Sequence, residues 1–315
     1  MVRHSAGVRV ERSVGPWIQP ADSLTLFYQI AIFILALISH LAWEEKVRIL
    51  GFHVFACLLL LVFLWNVQGL THPVARFFRE NYPLMVMLFF YREIGRLIHG
   101  FFDWTLDEWL LSVDNGLGRI GTSIWNFQQF YPPARLLNEI FSVGYAFYFV
   151  LLVVSALLLY FRAPLSKFRT FLFSLCFTYY LHYFLFIFLP ASSPRFYMPG
   201  LRESLKGYWV SDWLQSAVET NAFPGGSFPS SHIAAAVICF HAFPFLGKWR
   251  IPTISLMTIM LVGTIYGRYH YFVDVVAGLG VGLCCYYLAP LIEKHWPFVF
   301  DEEGIVRERA RQAVN

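Results

Sequence analysis

An all-α bundle of about eight membrane-spanning helices is predicted by three observations. Hydrophobic residues make up 57% of the 315-residue chain and charged residues only 14%, a balance from which no water-facing surface can be built. Eight apolar stretches approach or reach the roughly 17–25 residues that a bilayer-spanning helix requires. Lysine and arginine are also shared unequally between alternate loops, 14 on one side against 8 on the other.

The first stretch, 24–43, follows Arg3, Arg9 and Arg12. Its apolar run is long and no small-residue cleavage site precedes Trp43-Glu44-Glu45, so it reads as a retained anchor. The next two are 49–67 and 82–101, the latter carrying Arg92, Glu93 and Arg96. Then come 137–161, 168–190 and 232–247, and finally 251–268 and 271–292 with almost no loop between them. With the N-terminus in the cytoplasm, every inner loop carries at least two basic residues, as expected where Lys and Arg are retained inside. Both termini are then cytoplasmic, and the loops 102–136, 191–231 and 268–270 lie on the extracytoplasmic or lumenal face. Segment 1–23 is a cytoplasmic N-terminal stretch, 24–293 the membrane-embedded catalytic domain, and 294–315 a cytoplasmic tail. Trp104, Trp109 and Trp125 suit an amphipathic segment at the outer interface.

The net charge of +4 comes from basic residues spread along the chain, so no block resembles a nucleic-acid footprint. The five cysteines lie inside apolar runs and match no zinc or disulfide spacing. No solenoid repeat, low-complexity tract or heptad array is present.

Three polar segments are expected to meet on the outer face. They are Pro190-Ala191-Ser192-Ser193-Pro194-Arg195-Phe196, Gly225-Gly226-Ser227-Phe228-Pro229-Ser230-Ser231-His232, and Arg268-Tyr269-His270-Tyr271-Phe272-Val273-Asp274. The second reads as an anion site. Gly226 and its neighbour permit close backbone approach, Pro229 suits a helix start, and Ser230 or Ser231 can cap it. Free amide hydrogens and the positive end of the helix dipole then face a phosphate; an ordinary N-cap with an interfacial histidine fits the same pattern. In the third, His270 and Asp274 are spaced i, i+4, so on a helix the carboxylate reaches one imidazole nitrogen and leaves the other free to act. A helix-start capping pair fits equally. Two ligands four apart with no third nearby make a poor metal site.

Together these segments resemble the type 2 phosphatidic acid phosphatase superfamily from about residue 103 to 293, with a six-helix phosphatase-like core. Pro229-Ser230-Ser231-His232 followed by His270-Tyr271-Phe272-Val273-Asp274-Val275-Val276-Ala277-Gly278 carries most of the likeness. The resemblance implies that His270 attacks phosphorus, giving a phosphohistidine, that His232 protonates the departing alkoxide, and that Asp274 orients His270. It also implies phosphate contacts from Arg195, Arg268, Ser230, Ser231 and Gly226, and no metal or other cofactor. The chain departs from the family pattern at Phe188, where a lysine is usual, at Pro194-Arg195, where the order is reversed, and at Gly263-Thr264, where Ser-Arg is usual. Arg92 or Arg96 could supply the missing cation; an i, i+3 pair of Glu93 with Arg96 is the alternative.

The expected substrate is a membrane lipid phosphate, with a lipid or polyol hydroxyl or water as acceptor. The His-Tyr-x-x-Asp and Pro-Ala-x-x-Pro-Arg forms look like the inositol phosphorylceramide synthase branch and lean toward head-group phosphotransfer. A hydrolytic lipid phosphate or prenyl diphosphate phosphatase is the alternative enzyme, and a membrane transporter the alternative of another class. Buried His182 reads as a packing residue, and Asp103, Asp107, Glu108 and Asp114 receive no role.

Overall fold

The computed structural model describes residues 18–67, 72–130, 135–201 and 205–297. Every element among them is helical. In chain order they are α1 Pro20–Ile38, α2 Trp43–Val67, α3 Pro73–Leu97, α4 Asp107–Gly116, α5 Ile120–Phe130, α6 Arg135–Arg162, α7 Leu165–Phe188, α8 Pro194–Tyr197, α9 Trp209–Asn221, α10 Ser231–Ile238, α11 Arg250–Tyr266 and α12 Phe272–Lys294. Six of these regions are long and apolar enough to cross a bilayer, and the protein is a multi-pass membrane bundle. The two remaining predicted stretches correspond to α3 and to α10 with its 3-10 extension, Cys239–Phe245.

The boundaries differ from the sequence expectation where charge masks a helix. α1 stops at Ile38, with the Ser39 hydroxyl bonded to the Ala36 carbonyl, so Trp43, expected to end the first span, opens α2 together with Glu44 and Glu45. α3 begins with Pro73 at its first position, a place that suits proline, and runs through Arg76, Arg79 and Glu80. Arg79 pairs with Asp22 of α1, and Arg169 of α7 pairs with Glu80. Tyr82 adds a hydrogen bond to Asp22 at 2.6 Å. Pairing is what makes such buried charge tolerable. The N-terminal segment through residue 17, with Arg3, Arg9 and Arg12, and the tail from 298, lie outside the described residues.

α7 is central and packs against α1, α3, α6, α10 and α12. α10 lies very close to α12 because two glycines open the contact. A Cβ on Gly278 would stand 2.4 Å from the Ser230 carbonyl oxygen, and one on Gly282 would stand 2.8 Å from Ala234 Cα. Small residues allow this backbone approach where no solvent drives helices together. The C-terminus of α7 and the N-termini of α10 and α12 consequently share one end of the bundle, opposite the Asp22–Arg79 pair.

Candidate active site

Backbone hydrogen bonds tie the three polar segments into one unit. The Ala191 amide donates to the Gly225 carbonyl (3.1 Å) and the Ser227 amide to the Ala191 carbonyl (3.0 Å). The Arg195 amide donates to the Arg268 carbonyl (3.1 Å), and the Ser230 amide to the Asp274 carbonyl (3.1 Å). Two non-glycine residues in this unit have left-handed backbones, Ser193 (φ 84°) and Arg268 (φ 65°). Such conformations are costly and persist where surrounding bonds over-determine them. Next to Arg268, the Tyr269 and His270 amides both donate to the Thr264 carbonyl, at 3.0 and 3.2 Å.

His232, His270 and Asp274 converge. His270 Nδ1 is 3.4 Å from Asp274 Oδ2, and His270 Nε2 is 3.3 Å from His232 Nδ1 and 3.2 Å from Ser230 Oγ. His270 lies in the short loop before α12, so the i, i+4 pair does not share a helix face. α12 starts at Phe272 with Tyr271 as its N-cap, so the pairing runs from a loop into the first turn. Asp274 serves both readings of the sequence, since its Oδ2 also accepts the Tyr271 amide at 3.0 Å.

The bonding assigns the protons. Asp274 Oδ2 acts as an acceptor, so His270 carries its hydrogen on Nδ1 and its Nε2 is bare. His232 Nδ1 then donates to that bare nitrogen, leaving His232 Nε2 to accept from the Tyr145 hydroxyl at 3.0 Å. Burial lowers the His270 pKa to about 4, which keeps the ring neutral. A neutral imidazole with one nitrogen anchored presents the other as a nucleophile.

The Ser230 amide, expected to face a phosphate, is occupied by the Asp274 carbonyl. Ser230 sits at the N-cap position of α10 without making a side-chain cap, because its hydroxyl turns to His270. Within α10 the first backbone bond runs from the Ala234 amide to the Ser230 carbonyl at 3.2 Å. The amides of Ser231, His232 and Ile233 therefore have no acceptor inside the helix. Gly226 lies against Phe223, whose ring a Cβ there would meet at 2.8 Å.

Arg195 and Arg268 are buried beside this centre, with protein partners. Arg195 bonds Gln215 and, at 2.9 Å, Glu219, both on α9. Arg268 bonds Gln128 Oε1 at 2.9 Å and the Leu201 carbonyl at 3.1 Å. Arg92 and Arg96 have exposed side chains, and Arg96 stands 3.7 Å from Glu93, the i, i+3 alternative. α3 approaches the glycine loop through Gly95, whose added Cβ would meet Phe223 at 2.7 Å, so that ring fills the space beside Gly226.

Three supporting residues received no role from sequence. Asp107 accepts the Ser192 amide (2.8 Å) and the Tyr271 hydroxyl (2.9 Å). Asp114 accepts the Phe272 and Val273 amides at 2.8 and 2.7 Å, holding the start of α12. Burial raises the Asp114 pKa, and those two amides oppose the rise. Tyr145 on α6 is the third. Acidic residues clustered in the 102–136 loop were the available signal for the first two; Tyr145, inside an apolar span, had none.

A family model described as the PAP2 superfamily matches residues 108–288. A PA-phosphatase related-family protein of Dictyostelium discoideum is 31% identical over 127 residues, covering 38% of this chain and 23% of that protein. The chain thus spans about a quarter of that relative's length. No solved structure matches the chain significantly.

Proposed function

The chain belongs to the PAP2 superfamily, and on that premise we propose that it is a membrane lipid phosphatase or phosphotransferase working through a phosphohistidine on His270. The single observation that carries this reading is the placing of His270 Nε2, which faces His232 Nδ1 at 3.3 Å and Ser230 Oγ at 3.2 Å while Nδ1 lies 3.4 Å from Asp274 Oδ2.

A lipid phosphate reaches this nitrogen by parting the two rings, since a reacting phosphorus must stand roughly 3–3.5 Å from its nucleophile. Its oxygens take over the Ser230 hydroxyl and the first-turn amides of α10. The anionic group favours protonated His232, which donates from Nδ1 to the leaving oxygen as His270 Nε2 attacks. The P–O ester bond breaks and a P–N bond forms. An entering hydroxyl then attacks phosphorus and gives its proton to His232, and the P–N electron pair returns to His270. This splits one displacement into two easier steps, and a positioned general acid supplies about 10²–10⁴-fold. Arg195 and Arg268 neutralise the phosphoryl charge from the surrounding shell, Arg195 by exchanging Glu219 for phosphate. The 14-to-8 distribution of basic residues supports an extracytoplasmic or lumenal site. Head-group transfer to a lipid or polyol hydroxyl is a second reading, favoured by the His270-Tyr271-x-x-Asp274 sequence form.

The test is product analysis of purified protein in mixed micelles with labelled phosphatidic acid, prenyl diphosphate and phosphatidylinositol, with and without ceramide or diacylglycerol. Free phosphate that disappears in His270→Ala supports hydrolysis, and a new phospholipid formed only with acceptor supports transfer. No change in any lipid would refute both.

A further inference from the structure

His182, in the C-terminal third of α7, has an unused nitrogen. Its Nδ1 lies 2.6 Å from the Thr178 carbonyl, an acceptor, so Nδ1 carries the hydrogen and Nε2 is bare. Nε2 is fully buried with no hydrogen-bond partner among the described residues, a condition proteins seldom keep without reason.

Its depth in the bundle is set by neighbours. Ser230 and Ala234 of α10 lie against Gly278 and Gly282 of α12, so His232 is level with residue 280. Thr178 lies beside Cys285, about one turn deeper. α7 runs opposite to α12, and His182, one turn from Thr178 toward the site, is therefore level with His232. One turn further, Phe186 packs 3.7 Å from where a Gly226 Cβ would stand. His182 is near enough to both His232 and His270 for a charge on one ring to act on another.

We propose that His182 Nε2 accepts one hydrogen of the water that breaks down the phosphohistidine, and so favours hydrolysis over transfer to an alcohol. The inference rests on the reaction proposed above. A deprotonated phosphoryl oxygen has only lone pairs to offer and cannot satisfy an acceptor; an O–H can. Water attacks phosphorus, the P–N bond breaks with its electron pair returning to His270 Nε2, and one water proton moves to bare His232 Nδ1. The second hydrogen stays on the new phosphate oxygen, held by His182. An alcohol carries carbon in place of that hydrogen and leaves His182 unpaired, and unpaired buried groups are how sites reject near-analogues.

The test measures inorganic phosphate against phosphoglycerol formed by the full-length protein in mixed micelles containing a labelled lipid phosphate and glycerol. His182→Phe and His182→Asn, neither of which places an acceptor at Nε2, are expected to lower the hydrolysis-to-transfer ratio about two- to tenfold, the worth of one hydrogen bond, with phosphoenzyme formation at the wild-type rate. His182→Gln, whose amide oxygen reaches the same position, restores the ratio. The Asn variant carries the test if the Phe variant does not fold. An unchanged ratio, even with slower turnover, would overturn the proposal and leave His182 a packing residue. A wild-type protein that forms no phosphohistidine would refute the underlying reaction instead.

Discussion

His232 Nδ1 lies 3.3 Å from His270 Nε2, so the nitrogen proposed to attack phosphorus is covered, at rest, by the group proposed to protonate the leaving oxygen. Ser230 Oγ covers it from a second direction at 3.2 Å. Substrate binding therefore exchanges both donors from nitrogen to phosphoryl oxygen. Inorganic phosphate should protect His270 from acylation by diethyl pyrocarbonate, and Ser230→Ala should weaken that protection without removing the nucleophile.

Tyr145→Phe removes the hydroxyl that holds His232 Nε2 at 3.0 Å. One hydrogen bond contributes about 0.5–1.5 kcal/mol net, so kcat should fall about two- to tenfold, with KM and thermal stability near wild type. Steady-state kinetics on the purified variant check this; a change confined to KM would assign Tyr145 to substrate binding.

Asp274→Asn keeps the side-chain shape but permits the amide nitrogen to face His270 Nδ1, which favours the wrong tautomer. The expected loss in kcat is about 10²–10⁴-fold, the contribution of positioned proton transfer. Asp114→Asn differs in kind. Its carboxylate holds two amides at the start of α12, so the variant should lose about 0.5–2 kcal/mol of stability, as helix caps do, read as a lower midpoint of thermal unfolding in detergent.

The pH dependence follows from His270. Its folded pKa is about 4, below the usual value of about 6.5. Nucleophile protonation should therefore limit kcat/KM only near pH 4, once the substrate's own ionisation is taken into account. For stability, the unfolded chain binds this proton below about 6.5 and the folded protein only near 4. The contribution is complete above pH 6.5 and is lost as pH falls through that window, a loss that His270→Gln should remove.

At the far end of the bundle, Asp22→Asn leaves buried Arg79 without its carboxylate. Breaking one side of a buried pair costs about 3–5 kcal/mol. Thermal stability should drop sharply while the protein that remains folded keeps wild-type kcat/KM, because the pair joins α1 to α3 away from the catalytic end.

The helical bundle was legible in the sequence because apolar length alone specifies a span, and the two histidines because each opens an apolar helix next to a short polar motif. What was lost has a physical pattern. α3 begins nine residues before its apolar stretch, since Arg79 and Glu80 are neutralised by partners on other helices. Asp107 bonds Tyr271 across 164 positions, and Asp114 bonds Phe272 across 158; no local periodicity encodes such contacts. The i, i+4 spacing of His270 and Asp274 suggested a shared helix face, but the Thr264 carbonyl captures the His270 amide and the pair meets across the helix start instead, with His270 one residue before the N-cap Tyr271.

The most direct test is trapping by an alkaline denaturing quench with substrate labelled at phosphorus. Wild-type protein and His232→Ala, which can be phosphorylated by a substrate with a good leaving group, should both hold label that is stable to base, labile to acid and absent from His270→Ala. Turnover that proceeds with no trapped label in any variant, or label that survives in His270→Ala, would contradict the assignment of His270 as the nucleophile.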